Sequence, residues 1–370
     1  MTQIFSNIGI IGAGQLARLS VDAAEKLGIN LLLLANDSSD SGAQVCKHVV
    51  GDCNDLETVR AFAKNCDVIT FEHELISLDI IKTLESEGVV VRPSSLAFTY
   101  SQDKAVMREK LKNFPAPKFQ IISEADQVQD FPVIVKAIKG GYDGRGVWKV
   151  DSKIELMQLL HEYELLLVEE LIDFDFEIAV MVARSFDGIA LTWPPTQTIQ
   201  TDGICSMTIS PAPKLSIELS RVACQLALQI ASEVDVVGVM AVEMFVRGED
   251  LFINELAMRP HNSAHWSIEG SKTSQFEQHL RAVAGLELGE SSMNASFAVM
   301  GNILGSAQSD LDGRILKLVK KNPSLAFHNY MKEARPGRKL GHVTLLGEDL
   351  VELTREVQIA IDYMSGEVNV

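Results

Sequence analysis

The sequence Val239-Met-Ala-Val-Glu-Met-Phe-Val246 is followed shortly by Leu251-Phe-Ile-Asn-Glu-Leu256. Both runs are apolar, which predicts two buried strands. A glycine between them predicts the turn of a hairpin. If that turn is a three-residue loop over 248–250, Glu243 lies opposite Glu255 on one face of the sheet. A four-residue loop would instead pair residue 243 with residue 254.

Each of the two predicted strands carries one acid in its apolar interior. Buried carboxylates are costly unless a cation or hydrogen bonds compensate them. Two carboxylates side by side repel each other unless a metal joins them, and hard oxygen ligands favour Mg²⁺. We therefore expect Glu243 and Glu255 to bind Mg²⁺. The alternative is that one of them pairs with Arg259 or with a backbone donor.

A glycine-rich stretch, 139–146, joins two other predicted strands at 132–138 and 147–150. A P-loop would continue into a helix, whereas this stretch continues into a strand. It therefore predicts a flexible hairpin flap whose backbone amides close over phosphates. Lys136, in the strand before the flap, suits a fixed contact to phosphate oxygens. The alternative is a mobile surface hairpin in which Lys136 extends to solvent.

Polar residues are dense after the first hairpin, in Arg259-Pro-His-Asn-Ser-Ala-His-Trp266. No helical periodicity explains them, and such density is typical of a site or a solvated loop. Arginine suits a forked contact to phosphate or carboxylate, and either histidine can move a proton near neutral pH. The spacing of the histidines also fits zinc, but Pro260 precedes them and no third ligand is apparent.

The first ninety-odd residues alternate strands with helices. Strands are predicted at 8–11, 30–35, 68–71 and 89–91, which indicates an open parallel sheet with helices on both faces. Gly12-Ala-Gly14-x-x-Ala17 matches a dinucleotide fingerprint, with Asp37 as a candidate ribose ligand. The other interpretation is a merely tight turn. The acids in the apolar strands favour phosphoryl transfer over nicotinamide chemistry.

Composition restricts the class of protein. A chain of 370 residues predicts two or three domains. Its net charge of −17 argues against nucleic acid as the main partner. No apolar run is long enough to span a membrane, and no export signal is visible. Five cysteines without a C-x-x-C pair favour a reducing cytoplasm over a disulfide framework.

Taken together, these motifs resemble the N5-carboxyaminoimidazole ribonucleotide synthases, biotin-independent carboxylases of the ATP-grasp superfamily. The flap combined with the His-Asn-Ser segment is highly specific to that family. The matching stretches span nearly the whole chain in the family's order: 12–16, 102–104, 136, 140–146, 238–243, 254–257, 261–266 and 335–339.

The resemblance implies an ATP-grasp fold of mixed α/β and α+β class. A Rossmann-like parallel-sheet domain would cover 1–97, the two-part ATP-grasp domain 98–300, and a small C-terminal domain 301–370. The lid of the ATP-grasp domain would cover about 116–176. ATP would lie between the two α+β parts.

The resemblance also implies roles for individual residues. Contacts to ATP fall on Lys104, Lys136, Gly141, Tyr142, Asp143, Gly144, Arg145, Gly146, Val147, Glu169, Glu170, Leu171, Ile172, Glu177, Asn254 and Glu255. Contacts to the ribonucleotide are implied for Gln15, Arg259, His261, Asn262, Ser263, Arg335, Arg338 and Lys339. The implied Mg²⁺ ligands are Glu243 and Glu255. Catalytic roles fall on Tyr142, Asp143, Arg145, Arg259 and His265, with His265 and Asp143 as candidates for accepting the amine proton.

The implied reaction is the ATP-dependent carboxylation of 5-aminoimidazole ribonucleotide with bicarbonate, through carboxyphosphate, in purine biosynthesis. The implied protein is a cytoplasmic homodimer. Gln197 stands where some members have a histidine, and Ala264 replaces a common glycine. Alternatives are a related ligase such as the formate-dependent glycinamide ribonucleotide transformylase, a nicotinamide-dependent oxidoreductase, and a nucleotide-binding regulator without turnover.

Overall fold

The structure is a computed structural model that describes residues 4–140, 145–305 and 311–366, with residues 311 and 312 described by their backbone alone. Three sheets organise these residues. No helix among them is both long and apolar enough to cross a bilayer. All five cysteines are free thiols.

The N-terminal sheet has four parallel strands in the order β3-β2-β1-β4. Its strands are β1 (Asn7–Ile11), β2 (Asn30–Ala35), β3 (His48–Val50) and β4 (Val68–Phe71). Its helices are α1 (Gln15–Leu27), α2 (Leu56–Ala63) and α3 (Leu78–Ser86). The prediction of a parallel sheet is confirmed. The predicted strand at 89–91 is wrong, because Val91 forms only an isolated bridge to Ile69 before the chain turns at Pro93.

A second sheet of four antiparallel strands lies in the segment expected to form the lid, in the order β5-β8-β6-β7. The elements leading into and forming it are α4 (Ser95–Gln102), α5 (Lys104–Lys110), β5 (Phe119–Ile122), β6 (Val133–Ala137), β7 (Val147–Val150), α6 (Lys153–Glu162) and β8 (Leu166–Glu170). One side of the sheet packs against α6 around Val135, Leu156 and Leu166, which are all fully buried. This separate core makes the lid a compact unit beside the main sheet.

The third sheet has nine strands in the order β14-β13-β9-β11-β12-β15-β17-β16, with β10 added to β9. Its strands are β9 (Phe176–Arg184), β10 (Ala190–Thr192), β11 (Thr196–Thr201), β12 (Ile204–Ser210), β13 (Gly238–Arg247), β14 (Asp250–Ala257), β15 (Phe297–Leu304), β16 (Ala326–Asn329) and β17 (Lys339–Gly347). Its helices are α7 (Ile217–Glu233), α8 (Ser267–Gly270), α9 (Gln275–Ala284), α10 (Leu311–Lys321) and α11 (Leu350–Ser365). The expected domain boundary at residue 300 falls inside β15, which pairs with both β12 and β17.

One face of this large sheet carries the polar groups of interest. Residues that lie opposite each other in paired strands share a face. Glu243 pairs with Glu255, and Phe245, two residues along β13, pairs with Glu177. Glu177, Glu243 and Glu255 therefore share one face. The opposite face packs on α7 and α11. On the side of the acids, Lys136 of β6 contacts Asn254 of β14.

Candidate active site

The hairpin of β13 and β14 places Glu243 directly opposite Glu255, as predicted. The predicted three-residue turn is wrong. Arg247 pairs with Asp250, so the turn is Gly248-Glu249, with Gly248 at a φ of 56° that favours glycine. The pairing is regained by a β-bulge, because Met244 pairs with Ile253 and leaves Asn254 as an extra residue. Bulges re-aim side chains beside functional sites.

A buried ion cluster lies beside the bulge. Lys136, on β6, donates to Asn254 Oδ1 at 2.8 Å and to Glu169 Oε2 at 2.8 Å. The other oxygen of Glu169 accepts from Arg108 Nε. Arg108 also donates to the carbonyl oxygens of Ile253 and Asn254, both at 2.8 Å. The cluster therefore connects the lid strand of Lys136 to the bulge.

The charges in this cluster compensate one another. Burial lowers the pKa of the Lys136 ammonium, the attraction of Glu169 raises it, and the net direction is down. Burial would raise the pKa of the Glu169 carboxyl, but Lys136 and Arg108 outweigh burial and hold that pKa below its usual value. Glu169 is therefore an ionised anchor for Lys136.

Glu243 is held by the polar segment that follows the hairpin. His261 Nδ1 lies 3.4 Å from the Ser263 N–H, which donates to it, so the ring proton is on Nε2. Nε2 then donates to Glu243 Oε1 at 3.1 Å. Burial alone would raise the pKa of Glu243, but this hydrogen bond and the positive charge of Arg259 hold it below its usual value. Glu243 is therefore ionised.

The other acids of the shared face are less tightly held. Glu255 lies 3.5 Å from Lys104 Nζ, and 40% of its side chain is exposed. Burial is the main reason that the pKa of Glu177 lies above its usual value, and the negative charges of Glu243 and Glu255 act in the same direction. A hydrogen bond from Gln200, 3.0 Å long, opposes this shift only in part. Glu177, Glu243 and Glu255 thus lie along one face with different partners.

Two buried side-chain amides hold the polar segment 261–265. Gln275 accepts from the His261 N–H at 2.7 Å and donates to the His261 carbonyl at 2.8 Å. Asn302, on β15, exchanges two hydrogen bonds of 2.9 and 2.7 Å with the amide of Asn262. Ser263 is 1% exposed. The segment is therefore fixed from α9 on one side and from the C-terminal strands on the other.

His265 lies beneath the segment rather than in the open site. It is 1% exposed, and its Nδ1 accepts from the Gln275 amide at 2.9 Å. Its ring packs against Phe276 and His342, with centroid separations of 5.5 and 5.0 Å. Burial lowers the pKa of His265 well below its usual value, and neighbouring positive charges add to the effect. The expected direct proton transfer by His265 conflicts with this placement.

The predicted phosphate-binding residues near the C-terminus lie around one turn. The Arg335 guanidinium donates a hydrogen bond of 2.6 Å to the Glu333 carboxylate, and the Arg338 guanidinium donates to the Glu333 carbonyl at 3.2 Å. Lys339 begins β17 directly after this turn. Lys332, which the sequence reasoning missed, donates to Gln15 from across the molecule. Lys332 thus connects the start of α1 to the segment just before the turn of Arg335, Arg338 and Lys339.

The dinucleotide-like motif is occupied by a side chain of the protein itself. Both carboxylate oxygens of Glu72 accept hydrogen bonds at the start of α1, one from the Gly14 N–H and the other from the Ala17 N–H at 3.1 Å. A Cβ atom on Gly14 would lie 2.5 Å from Glu72 Oε1. The glycine therefore admits an internal carboxylate, and Glu72 fills the place where a pyrophosphate would bind.

The flap is described only at its two ends, residues 139–140 and 145–146. Arg145 is exposed, Gly146 has a φ of 74°, and Val147 begins β7. The predicted residues Gly141, Tyr142, Asp143 and Gly144 lie outside the described residues. Glu170 closes β8 and accepts from the Lys118 N–H at 2.9 Å, and Leu171 and Ile172 follow the end of that strand.

Sequence reasoning missed the residues that hold others in place: Glu72, Glu74, Arg108, Gln275, Asn302 and Lys332. One carboxylate oxygen of Glu74 lies 3.3 Å from Arg259 Nε, and the other accepts a hydrogen bond from the Met258 N–H at 3.0 Å. Glu72 and Glu74 follow a predicted parallel strand, and the carboxyl ends of such strands commonly form sites. That position is a usable signal. Gln275 and Asn302 carry no such signal.

Three domain families match the chain. The ribonucleotide synthetase preATP-grasp domain matches residues 5–102, the ATP-grasp domain 108–276, and the phosphoribosylaminoimidazole carboxylase C-terminal domain 298–356.

Individual proteins match over nearly their full length. The N5-carboxyaminoimidazole ribonucleotide synthase of Mycobacterium tuberculosis is 42% identical, over 97% of this chain and 87% of the relative. A solved ADP complex of an N5-carboxyaminoimidazole ribonucleotide synthetase has a TM-score of 0.90 and 31% identity, covering 97% of this chain and 98% of that one. The Aspergillus clavatus enzyme in complex with ADP and 5-aminoimidazole ribonucleotide has a TM-score of 0.89 and 30% identity, covering 98% of this chain and 99% of that one.

Proposed function

We propose how the residues of this chain serve its reaction from one premise: the chain belongs to the N5-carboxyaminoimidazole ribonucleotide synthase family. It is an ADP-forming ATP-grasp ligase that forms a carbon–nitrogen bond. Its reaction is the ATP-dependent carboxylation of 5-aminoimidazole ribonucleotide in purine biosynthesis. The resemblance and the fold class predicted from the sequence are confirmed.

The residue roles are proposed from one observation: residues suited to ATP and residues suited to the ribonucleotide both contact the bulged hairpin of β13 and β14. Lys136 contacts Asn254, and Lys104 lies beside Glu255. On the other side, His261 holds Glu243. Cations suited to phosphate and a polar segment suited to the second substrate therefore reach neighbouring residues of one hairpin.

The donor set at the hairpin fits Mg²⁺. Glu243 and Glu255 are paired across two strands, and no group of three or more His, Cys, Asp or Glu side chains in the described part of the chain forms a metal cluster. Mg²⁺ is commonly held by one or two carboxylates together with substrate phosphates and water. Glu243 and Glu255 would hold it, and when bound it would offset the negative charge of the phosphates.

On the nucleotide side, the lysines are the proposed phosphate contacts. Lys136 is buried and held by Glu169, so it presents its ammonium in one place with little further loss of conformational entropy. Glu169 is thereby assigned a positioning role rather than a direct nucleotide contact. Leu171 and Ile172 follow the end of β8 and are the proposed adenine contacts, with Glu177 further along the same face.

On the ribonucleotide side, we assign the sugar phosphate to the cationic turn of Arg335, Arg338 and Lys339, and extend the set to Lys332. An acidic protein needs such a local cluster to bind a phosphate. Arg259, His261 and Ser263 are the proposed contacts to the rest of the ribonucleotide. Gln15 is assigned to positioning Lys332, because its amide oxygen accepts from that ammonium.

The chemistry follows from the poor reactivity of bicarbonate. Transfer of the γ-phosphoryl group from ATP to bicarbonate gives carboxyphosphate and ADP. The carboxyl carbon then forms a bond to the exocyclic amine of the ribonucleotide, while its bond to the phosphate oxygen breaks, inorganic phosphate leaves and the amine loses a proton. The protein mainly positions the reactants and compensates charge in these steps. His265 is buried and neutral, so we assign it to supporting His261 rather than to accepting the amine proton. The flap residues Tyr142, Asp143 and Arg145 stay predicted catalytic residues.

The proposal is tested by the carbon donor. In buffer depleted of bicarbonate, ribonucleotide-stimulated ADP release should collapse, and added bicarbonate should restore it. Formate should not restore ADP release, because a carboxylating enzyme phosphorylates bicarbonate and a formyl-transferring enzyme phosphorylates formate. Restoration by formate would move the chain to the formate-dependent ligases.

We further propose a homodimer in a reducing cytoplasm. Support for the dimer comes from the edge strand β3, where Val49 and Val50 are 40% and 53% exposed. Open apolar edges favour association. The free thiols fit a reducing compartment. Sedimentation equilibrium measures the dimer, and a monomeric mass at micromolar concentration would contradict it.

A further inference from the structure

Gln275 makes three hydrogen bonds from one fully buried amide. It is 0% exposed at the start of α9. Its oxygen accepts from the His261 N–H at 2.7 Å. Its nitrogen donates to the His261 carbonyl at 2.8 Å and to His265 Nδ1 at 2.9 Å. The side chain thus pairs with the backbone of His261 as a neighbouring strand would.

The orientation of this amide follows from its partners. A backbone N–H can only donate, so the Gln275 atom that faces the His261 N–H is the oxygen. The nitrogen then faces the His261 carbonyl and His265. Its two hydrogens serve these two acceptors, so His265 Nδ1 carries no proton and the neutral ring is protonated at Nε2. All hydrogen-bonding groups of the amide are used without any ionisation.

We propose that Gln275 is the positioning residue that aims His261 at Glu243, an inference that rests on the proposed function. The His261 side chain reaches Glu243 at 3.1 Å from a backbone that Gln275 holds on both its N–H and its carbonyl. Without the amide, the His261 N–H loses its partner and the His261 carbonyl keeps only the Ala264 N–H at 3.1 Å. The backbone of His261 is then held from one side only, and the ring can move away from the carboxylate. Both ribonucleotide binding and the geometry of Glu243 then suffer.

The chain supplies a matched control on the same helix. Gln278 is also 0% exposed, and its amide makes the same two-bond clamp on a backbone. It donates to the Gly289 carbonyl at 2.6 Å and accepts from the Gly289 N–H at 2.8 Å. Gly289 is not among the residues assigned to the site. Gln278→Ala therefore removes equal volume and similar hydrogen bonds without touching His261.

The experiment compares Gln275→Ala with Gln278→Ala in the full-length protein. Thermal melting reports the structural cost of each change. Isothermal titration calorimetry measures ribonucleotide binding, and steady-state ADP release gives KM for each substrate. We expect similar melting temperatures for the two variants. Groups that orient metal ligands typically contribute 10–100-fold in metal affinity or activity. Gln275 acts on His261 in the same indirect way, so Gln275→Ala should weaken ribonucleotide binding by about 10-fold. The KM for ATP should change much less.

If either alanine variant fails to fold, Gln275→Met and Gln278→Met keep the side-chain volume and remove the same hydrogen bonds. Equal losses of ribonucleotide binding in the Gln275 and Gln278 variants would overturn the inference, as would unchanged binding in a folded Gln275 variant. A wild-type protein that shows no bicarbonate-dependent response would instead refute the proposed function. The two failures are therefore distinguishable.

Discussion

Glu169→Gln gives a sharp test of the ion cluster that anchors Lys136. The substitution keeps shape but removes the charge shared by Arg108 and Lys136. The side chains of Glu169, Arg108 and Lys136 are 2%, 1% and 6% exposed, so water cannot replace the lost partner. Removing one member of a buried ion pair costs about 3–5 kcal/mol. We expect the free energy of unfolding to fall by that amount at pH 7.

The loss should shrink as pH rises. Burial lowers the pKa of Lys136 in the folded state, so the unfolded chain binds more protons there and stability increases with pH. Glu169 opposes that lowering, and without it the folded pKa of Lys136 falls further. The variant can then shed the proton of Lys136 at a lower pH than the wild type. Its stability therefore recovers part of the deficit between pH 7 and pH 9.5.

Urea unfolding of the wild type and the variant at these two pH values measures both effects. Glu164→Gln is the control, because Glu164 is exposed on the same lid and its loss should change stability by less than about 0.5 kcal/mol. A Glu169→Gln variant as stable as Glu164→Gln would refute the argument from buried charge. A deficit that stays constant with pH would refute the role assigned to Lys136.

Three further predictions concern the site. Glu255→Gln should lower turnover at limiting Mg²⁺ by at least ~100-fold with little change in melting temperature, since a lost ligand costs more than a lost supporting contact; near-normal turnover would contradict the metal assignment. Gly14→Ala should cost about 0.5–2 kcal/mol of stability, because its Cβ would push the Glu72 carboxylate away from the Gly14 and Ala17 N–H groups at the start of α1, and melting like the wild type would contradict the close approach. Arg338→Ala should raise the KM for the ribonucleotide by about 10-fold, the value of a charged hydrogen bond. An equal rise in the KM for ATP would argue against its assignment.

The hairpin shows how far periodicity can predict a structure. Alternation indicated two strands and the correct facing of Glu243 and Glu255, but it could not distinguish a three-residue turn from a two-residue turn with a bulge. Packing decides between them. The bulged register puts Leu251 and Ile253, 5% and 0% exposed, beside the buried Val246 and Met244. An unbulged register would move both to the polar face.

Residues that act through others were the least predictable. His265 resembles a catalytic histidine in sequence, and only the packing of Phe276 and Gln275 around it shows that it is buried. The glycines of the first turn match a nucleotide motif, and only the fold brings Glu72 to fill it. Local pattern predicts which residues carry chemistry, whereas tertiary contacts decide which of them meet the substrate.

The bulge at Asn254 allows one strand to keep its pairing and also to place two consecutive side chains at one site. In a regular strand, neighbouring side chains point to opposite faces, so two consecutive residues cannot both contribute ligands to one site. Asn254 is the extra residue of the bulge, so no residue of β13 lies opposite it. Its side chain can therefore be selected for its chemistry alone, beside a carboxylate whose position the strand pairing already determines. An amide and an acid thus reach one site from consecutive positions of the chain.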